Sequence, residues 1–257
     1  MLRFSLLGSG SSGNALLVVS PAAKILIDDG LSFKQVQRRV AAVGETLEGL
    51  KAVFVTHEHR DHVNGIGTLA RRLKVPVYAT EATYENLPQS VGELPGVEFF
   101  ESGDAISVDG LELTSYSVCH DAVDPVMFTV ECAGVKLGLA SDLGRVSALV
   151  KTRLADSHAL ILESNHCPAM LRRGSYPRML QQRISSSHGH LSNSAMNSLL
   201  ATLMHDRLQW VVLAHVSQEN NSPELAREMA SHVLRDHPAG LHVALQDGPT
   251  PLFEIAP

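Results

Sequence analysis

The sequence predicts an α/β protein whose sheets are covered by helices, and three observations predict it. Short apolar runs rich in Val, Ile and Leu recur through the first half, several ended by Gly, Asp or Thr, which is the pattern of strands. Segments with apolar residues at helical spacing lie between them and dominate the second half. No low-complexity linker, long charge block or internal repeat interrupts the 257 residues. Residues 1–257 are therefore read as a single domain, a length that one α/β unit commonly reaches.

In chain order, RFSLLG, ALLVVS, KILID and KAVFVT read as strands, with FKQVQRRVAAV as a helix between the last two. GIGTLARRL follows as a helix, then PVYAT, GLELTSYSV, VMFTVE and VKLGLA as strands. The second half alternates helices VSALVKTRL, SNSAMNSLLATLMHD and SPELAREMASHVL with strands HALILES, WVVLAH, LHVAL and PLFEI. Ser222 is the expected N-cap of the last helix and Pro223 its first residue, where a missing N–H costs nothing.

Composition narrows the class. With 44% hydrophobic and 19% charged residues the chain is that of a globular protein, and a net charge of -6 gives no general affinity for nucleic acid. Three cysteines, Cys119, Cys132 and Cys167, form no CxxC pair and no disulfide framework, which suits a reducing compartment. No apolar run reaches the ~20 residues that span a bilayer, and MLRFSLLGSG lacks a full signal core before its glycines. The expected location is cytoplasmic, with no membrane partner.

GSGSSG at residues 8–13 matches GxGxxG and follows a strand, with Asp28 twenty residues beyond Gly8. A dinucleotide loop must run into a helix whose N-terminus faces the pyrophosphate. Here ALLVVS follows, β-branched and aliphatic, so a glycine-rich turn between two strands is expected. Its small hydroxyls, Ser11 among them, and Asn14 are expected to line a site.

Residues 56–62 read THEHRDH. KAVFVT is a strand leaving the core, and loops at strand ends carry function. In an extended turn His57 and His59 point the same way, while Asp61 and His62 fall where the chain turns toward GIGTLARRL. Imidazole and carboxylate suit zinc, manganese or iron. Four donors so close exceed what one tetrahedral ion takes from a single loop without strain, so two adjacent metal ions are inferred.

HEHRDH resembles the HxHxDH signature of the metallo-β-lactamase superfamily, and the resemblance runs through most of the chain. It implies a four-layer αββα sandwich. It further implies that His57, His59 and His120 of SVCHD bind one ion, that Asp61, His62 and His215 of WVVLAH bind the other, and that Asp142 of LGLASDLG bridges them. Asp28, ending KILID, would orient the metal loop. Together SGSSGN, LIDDG, CHDAVDP, LESNHCPAML, GSYPRMLQQRI, GHLSN and AHVSQENN look like the YycJ/WalJ group, stand-alone proteins of this fold linked to exonuclease-type phosphodiester hydrolysis. On that resemblance His190 of GHLSN, 25 residues before His215, is a phosphate-contacting or catalytic histidine, and Asn193 and Arg178 are expected at the substrate. An acidic residue is expected where this chain has Cys167. His166 and His188 are read as bystanders.

The chemistry points the same way. Two divalent ions can bring the pKa of a bridging water toward ~7 and stabilise a leaving oxygen, so no side-chain nucleophile is required. Attack by the bridging hydroxide on a phosphodiester of DNA or RNA is the expected reaction, with Asp61 orienting the water or taking its proton. Two ions add four positive charges, which removes the objection that the net charge of -6 raised against a phosphate substrate. Arg172, Arg173, Arg178 and Arg183 around Tyr176 are placed to grip phosphates and stack a base. With only 73 positions from Asp142 to His215 there is no room for a large cap domain, and an open groove for single strands, chain ends or small phosphodiesters is implied. A hydrolase of small thioesters, lactones or cyclic phosphodiesters, or a non-catalytic metal-binding regulator, are the alternatives. The sequence leaves the oligomeric state open.

Overall fold

Alternate residues along the first strands are buried in two different places. Leu6, Leu16, Val18, Ile25, Ile27, Ala52 and Phe54 join one hydrophobic cluster. Their neighbours Leu7, Leu17, Val19, Leu26, Val53 and Val55 join another. Successive side chains of a strand point to opposite faces, so a sheet with both faces apolar must be covered on both. The structure, a computed structural model, describes residues 1–257.

That sheet contains β1 (Leu2–Gly8), β2 (Ala15–Val19), β3 (Lys24–Ile27), β4 (Leu50–Phe54), β5 (Val77–Ala79), β6 (Val97–Phe99) and β14 (Phe253–Ile255), in the order β14-β1-β2-β3-β4-β5-β6. A second sheet contains β7 (Ala105–Val108), β8 (Leu111–Ser117), β9 (Val126–Cys132), β10 (Val135–Ala140), β11 (Ala159–Glu163), β12 (Trp210–Ala214) and β13 (Gly240–Val243), in the order β13-β12-β11-β10-β9-β8-β7. Between the sheets Phe54 meets Phe128 edge-on at 5.6 Å. The buried Tyr116 donates its hydroxyl to the Leu139 carbonyl, satisfying the one polar atom it brings into that layer.

Helices close both outer faces. The first sheet is covered by α1 (Phe33–Ala42) through Val36 and Val40, and by α3 (Ile66–Leu73) through Ile66, Leu69 and Ala70. The second is covered by α5 (Ala148–Leu154), α8 (Asn193–Leu203) and α9 (Pro223–Val233), which bury Val150, Leu154, Leu199, Leu200, Ala226 and Ala230. The layers are thus helix, sheet, sheet, helix, as expected. Capping follows the sequence: Ser32 and Gln35 form a reciprocal capping box on α1, and Ser222 accepts from Leu225 N ahead of Pro223.

Every long element read from sequence is present. Short ones were missed: β6 and β7, α2 (Arg60–Val63), α4 (Glu81–Glu85), α6 (Pro168–Arg173) and α7 (Arg178–Ile184). GSGSSG is a turn between antiparallel β1 and β2, with Gly8 opposite Ala15 and no helix after it. No helix is long and apolar enough to cross a membrane.

Candidate metal centre and active site

Strands β3–β6 are parallel, as are β10–β13, and the ends of both runs, with the end of antiparallel β8, supply the site. Asp28 follows β3, His57 lies three residues beyond β4, His120 follows β8, Asp142 follows β10, Glu163 ends β11 and His215 follows β12. Crevices outside the carboxyl ends of parallel strands are where such sheets place ligands. Asp28, Asp142 and His215 hold φ of 60°, 51° and 53°, left-handed values that cost of order 1–3 kcal/mol at a residue other than glycine. Each turns its side chain inward at the point where its strand stops.

One cluster is made of His57, His59 and His120. His57 Nδ1 donates to Thr56 Oγ1 at 2.9 Å, and Thr56 in turn donates to Asp28 Oδ2 at 2.8 Å. His120 Nδ1 donates to the Gly189 carbonyl at 3.2 Å. Both rings therefore present bare Nε2 lone pairs, which converge on His59 Nδ1 at 3.1 and 3.3 Å. One nitrogen can carry one proton at most, so three such atoms facing one another call for a cation. Burial, followed by the neighbouring imidazoles, pushes His57 well below its ordinary pKa, leaving it the neutral ring that a metal requires.

The second cluster joins Asp61, His62, His215 and Asp142. His62 Nδ1 donates to Asp28 Oδ2 at 2.7 Å, which turns His62 Nε2 toward Asp142 Oδ2 at 3.4 Å and Asp61 Oδ2 at 3.6 Å. His215 Nε2 is buried without a hydrogen-bond partner, 3.5 Å from Asp142 Oδ1 and 3.7 Å from Asp61 Oδ2. A tetrahedral ion with ~2.1 Å bonds sets its ligands about 3.4 Å apart, close to all of these spacings. Burial alone would raise the Asp61 pKa, but the facing His215 and His62 imidazoles hold it well below the usual carboxylate range. Asp142 also groups with His57 and His62, so its carboxylate lies against both clusters. The donor set fits divalent metal ions.

Glu163 was not anticipated from sequence. It is fully buried, and its Oε1 accepts from His190 Nδ1 at 2.7 Å and lies 3.3 Å from His215 Nδ1. Its Oε2 accepts from the backbone of Leu143 and Leu191. Burial opposes its ionisation, yet His190 and His215 hold its pKa far below the ordinary carboxylate value. The signal was available: a lone acid ends the apolar strand ALILE, just as acids end KILID and follow LGLAS. Cys167, where an acid was expected, stands at the N-cap position of α6 with no side-chain capping bond.

The cleft over the clusters has a volume of about 260 Å³, with Ser11, Tyr176, Arg183 and His190 among its lining residues. His190 stacks on His215 at 5.0 Å, and burial, which would lower its pKa, is outweighed by Glu163, so the value is raised. With Nδ1 engaged by Glu163, Nε2 is the ring nitrogen left for the cleft. Ser11 lies at the rim as expected. Asn14 instead touches the second cluster, its Nδ2 3.1 Å from Asp61 Oδ2 and 3.0 Å from His62 Nε2. Asn193 corrects the expectation of a substrate contact: it is fully buried, exchanging amide hydrogen bonds with Asn221 and accepting from Ser164. Arg178 lies in a different cleft, and Arg183 is tied to Asp121 at the rim. Helix α7 walls one side of the cleft over the clusters through Leu180, Arg183 and Ile184.

The family described as Beta-lactamase superfamily domain matches residues 23–215. Over 247 residues the chain is 36% identical to Exodeoxyribonuclease YycJ of Bacillus anthracis, covering 95% of this chain and 94% of that protein. Over 263 residues it is 34% identical to Exodeoxyribonuclease WalJ of Streptococcus pneumoniae, covering 98% of each. In three dimensions it superposes on the metallo-β-lactamase fold protein YhfI of Bacillus subtilis with a TM-score of 0.73 at 16% identity, covering 97% of this chain and 98% of that one.

Proposed function

From the premise that the chain belongs to the Beta-lactamase superfamily domain family and is a metal-dependent hydrolase, we propose that it is a dinuclear phosphodiesterase, an exonuclease-type enzyme acting on DNA or RNA. His57, His59 and His120 would hold one ion and Asp61, His62 and His215 the other, with the Asp142 carboxylate against both clusters. Two divalent ions, whether zinc, manganese or iron, supply an acidified water and offset the charge on a phosphate. The relatives named exodeoxyribonucleases support nucleic acid as the substrate class.

The chain's own residues do the rest. Asp61 Oδ2 orients the attacking water or takes its proton. His190 carries the choice of phosphodiester over other bonds: its Nδ1 is fixed by Glu163 at 2.7 Å, so Nε2 is aimed as a donor, to a non-bridging phosphate oxygen or to the leaving group. Glu163 also holds His215, so donor and metal ligand are set by one carboxylate.

His190→Ala tests this reading. It should keep the parental metal content by elemental analysis and lose 10²- to 10⁴-fold in rate on single-stranded DNA or RNA, about 3–5 kcal/mol of barrier. If His190 protonates the leaving group, the deficit should shrink on bis-p-nitrophenyl phosphate, whose leaving group needs little protonation. If it only holds the phosphate, the deficit should be equal on both. A thioester hydrolysed faster than any phosphodiester by the parent protein would replace the proposal.

A further inference from the structure

A second cleft begins on the far side of α7 from the metal clusters, with a volume of about 420 Å³. Its polar lining is His166, Arg172, Arg178, Gln181, Gln182 and Ser185, with no carboxylate. The arginines in ion pairs are Arg3, Arg183 and Arg207, so Arg172 and Arg178 carry uncompensated charge into one concavity. In a chain of net charge -6 that is a local reversal of sign.

His166 supplies the second observation. It is only 3% exposed, and its Nδ1 is buried with no hydrogen-bond partner. That atom faces the interior, so Nε2, which no protein group engages, is the ring nitrogen left to donate to an oxyanion in the cleft that His166 lines. Gln181 does not compete for that ligand, because its amide donates to the Tyr176 carbonyl at 2.8 Å and fixes the start of α7. Arginine pairs with phosphate through two parallel N–H groups, so two free guanidiniums beside an imidazole that lines the same cleft make a phosphate-selective set.

The two clefts share one wall. Tyr176, Leu180, Arg183 and Ile184 face the metal cleft, while Arg178, Gln181, Gln182 and Ser185 face the second. Asn165 and His166, adjacent in sequence, likewise divide between them. A helix is ~10 Å across, so an anion in the second cleft is not the scissile phosphate.

We propose that this cleft binds a non-scissile phosphate of the strand whose scissile phosphate occupies the metal cleft. The proposal rests on the phosphodiesterase reading and adds a positioning site to it. The phosphate is either an internal diester or a terminal monoester, and the chemistry of recognition is shared.

The test uses metal-loaded protein carrying R172Q and R178Q together, and separately Q182E, which puts a carboxylate in the cleft. Binding of single-stranded DNA of two to twelve nucleotides, with and without 5′- or 3′-phosphate, is read by fluorescence anisotropy across a salt series. Both variants should bind the longer strands at least 10-fold more weakly, and the double variant should lose ~0.7 from the log–log salt slope for each phosphate released. A loss confined to one terminal phosphate identifies the monoester, and a loss that sets in above a threshold length identifies the diester. Bis-p-nitrophenyl phosphate is too small to span α7, so its turnover should match the parent. Parental affinity and slope in both variants would overturn the proposal, as would equal losses on the small diester and the long strand. If the parent cleaves no phosphodiester while the variants still lose binding, the enzymatic reading fails and the anion site stands.

Discussion

Thr56 shows how much of this centre depends on single side chains that touch no substrate. Its hydroxyl accepts from His57 Nδ1 and donates to Asp28, which also accepts from His62. One hydroxyl and one carboxylate thus fix the tautomers of two histidines from different clusters. Removing such a partner commonly costs 10- to 100-fold in metal affinity. Thr56→Val keeps the shape and deletes the hydroxyl, so metal affinity should fall by that factor with the fold intact, measured by competition against a chromophoric chelator. Unchanged affinity would mean that packing alone orients His57. The clustering of these side chains was legible, because imidazoles and carboxylates crowded at one strand end serve no core. Thr56, Asn14 and Glu163 were harder to read: a threonine ending a strand, an asparagine in a turn and a buried acid each have ordinary structural roles, and only their contacts set them apart.

At the scale of elements, the strand ends do the positioning and the glycines let loops approach them. Gly144, just beyond Asp142, packs so closely on the loop before α8 that a Cβ there would come within 2.4 Å of the Ser187 carbonyl carbon and 2.6 Å of Gly189 N. That loop carries His190, and its Gly189 carbonyl orients His120. Gly144→Ala should displace it and lower activity on nucleic acid at least 10-fold, while His57, His59 and the second cluster keep most of their metal. Parallel kinetics and elemental analysis check this, and a parental rate would show that the loop tolerates the shift. Strands β10–β12 were readable because burial on both faces makes them continuous apolar runs. The helices α6 and α7 were not: α7 buries no residue, so no apolar period marks it, although it walls the metal cleft.

For the whole molecule, the proposed metal donors come from both sheets: His57 and His59 from the loop after β4, Asp61 and His62 from α2 that follows it, and His120, Asp142 and His215 from the second sheet. Ions held between them would tie the two halves together, and we propose that residues 1–257 unfold as one unit. A ligand bound only by the folded state stabilises it by about 4 kcal/mol at a thousandfold excess over its Kd. For a chain of this size each kcal/mol moves Tm by ~2–4 °C. Stripping the metals with a chelator should therefore lower Tm by on the order of 10 °C, and circular dichroism should record one transition before and after. Two separated transitions would mean that the sheets melt independently and would end the single-unit proposal. Asp142→Ala sharpens the test, because that carboxylate faces both clusters: the variant should melt near the chelated parent and respond little to chelator. A variant that still lost the parental increment on chelation would show that Asp142 is not a shared ligand, and the two ions would have to be held by separate donor sets.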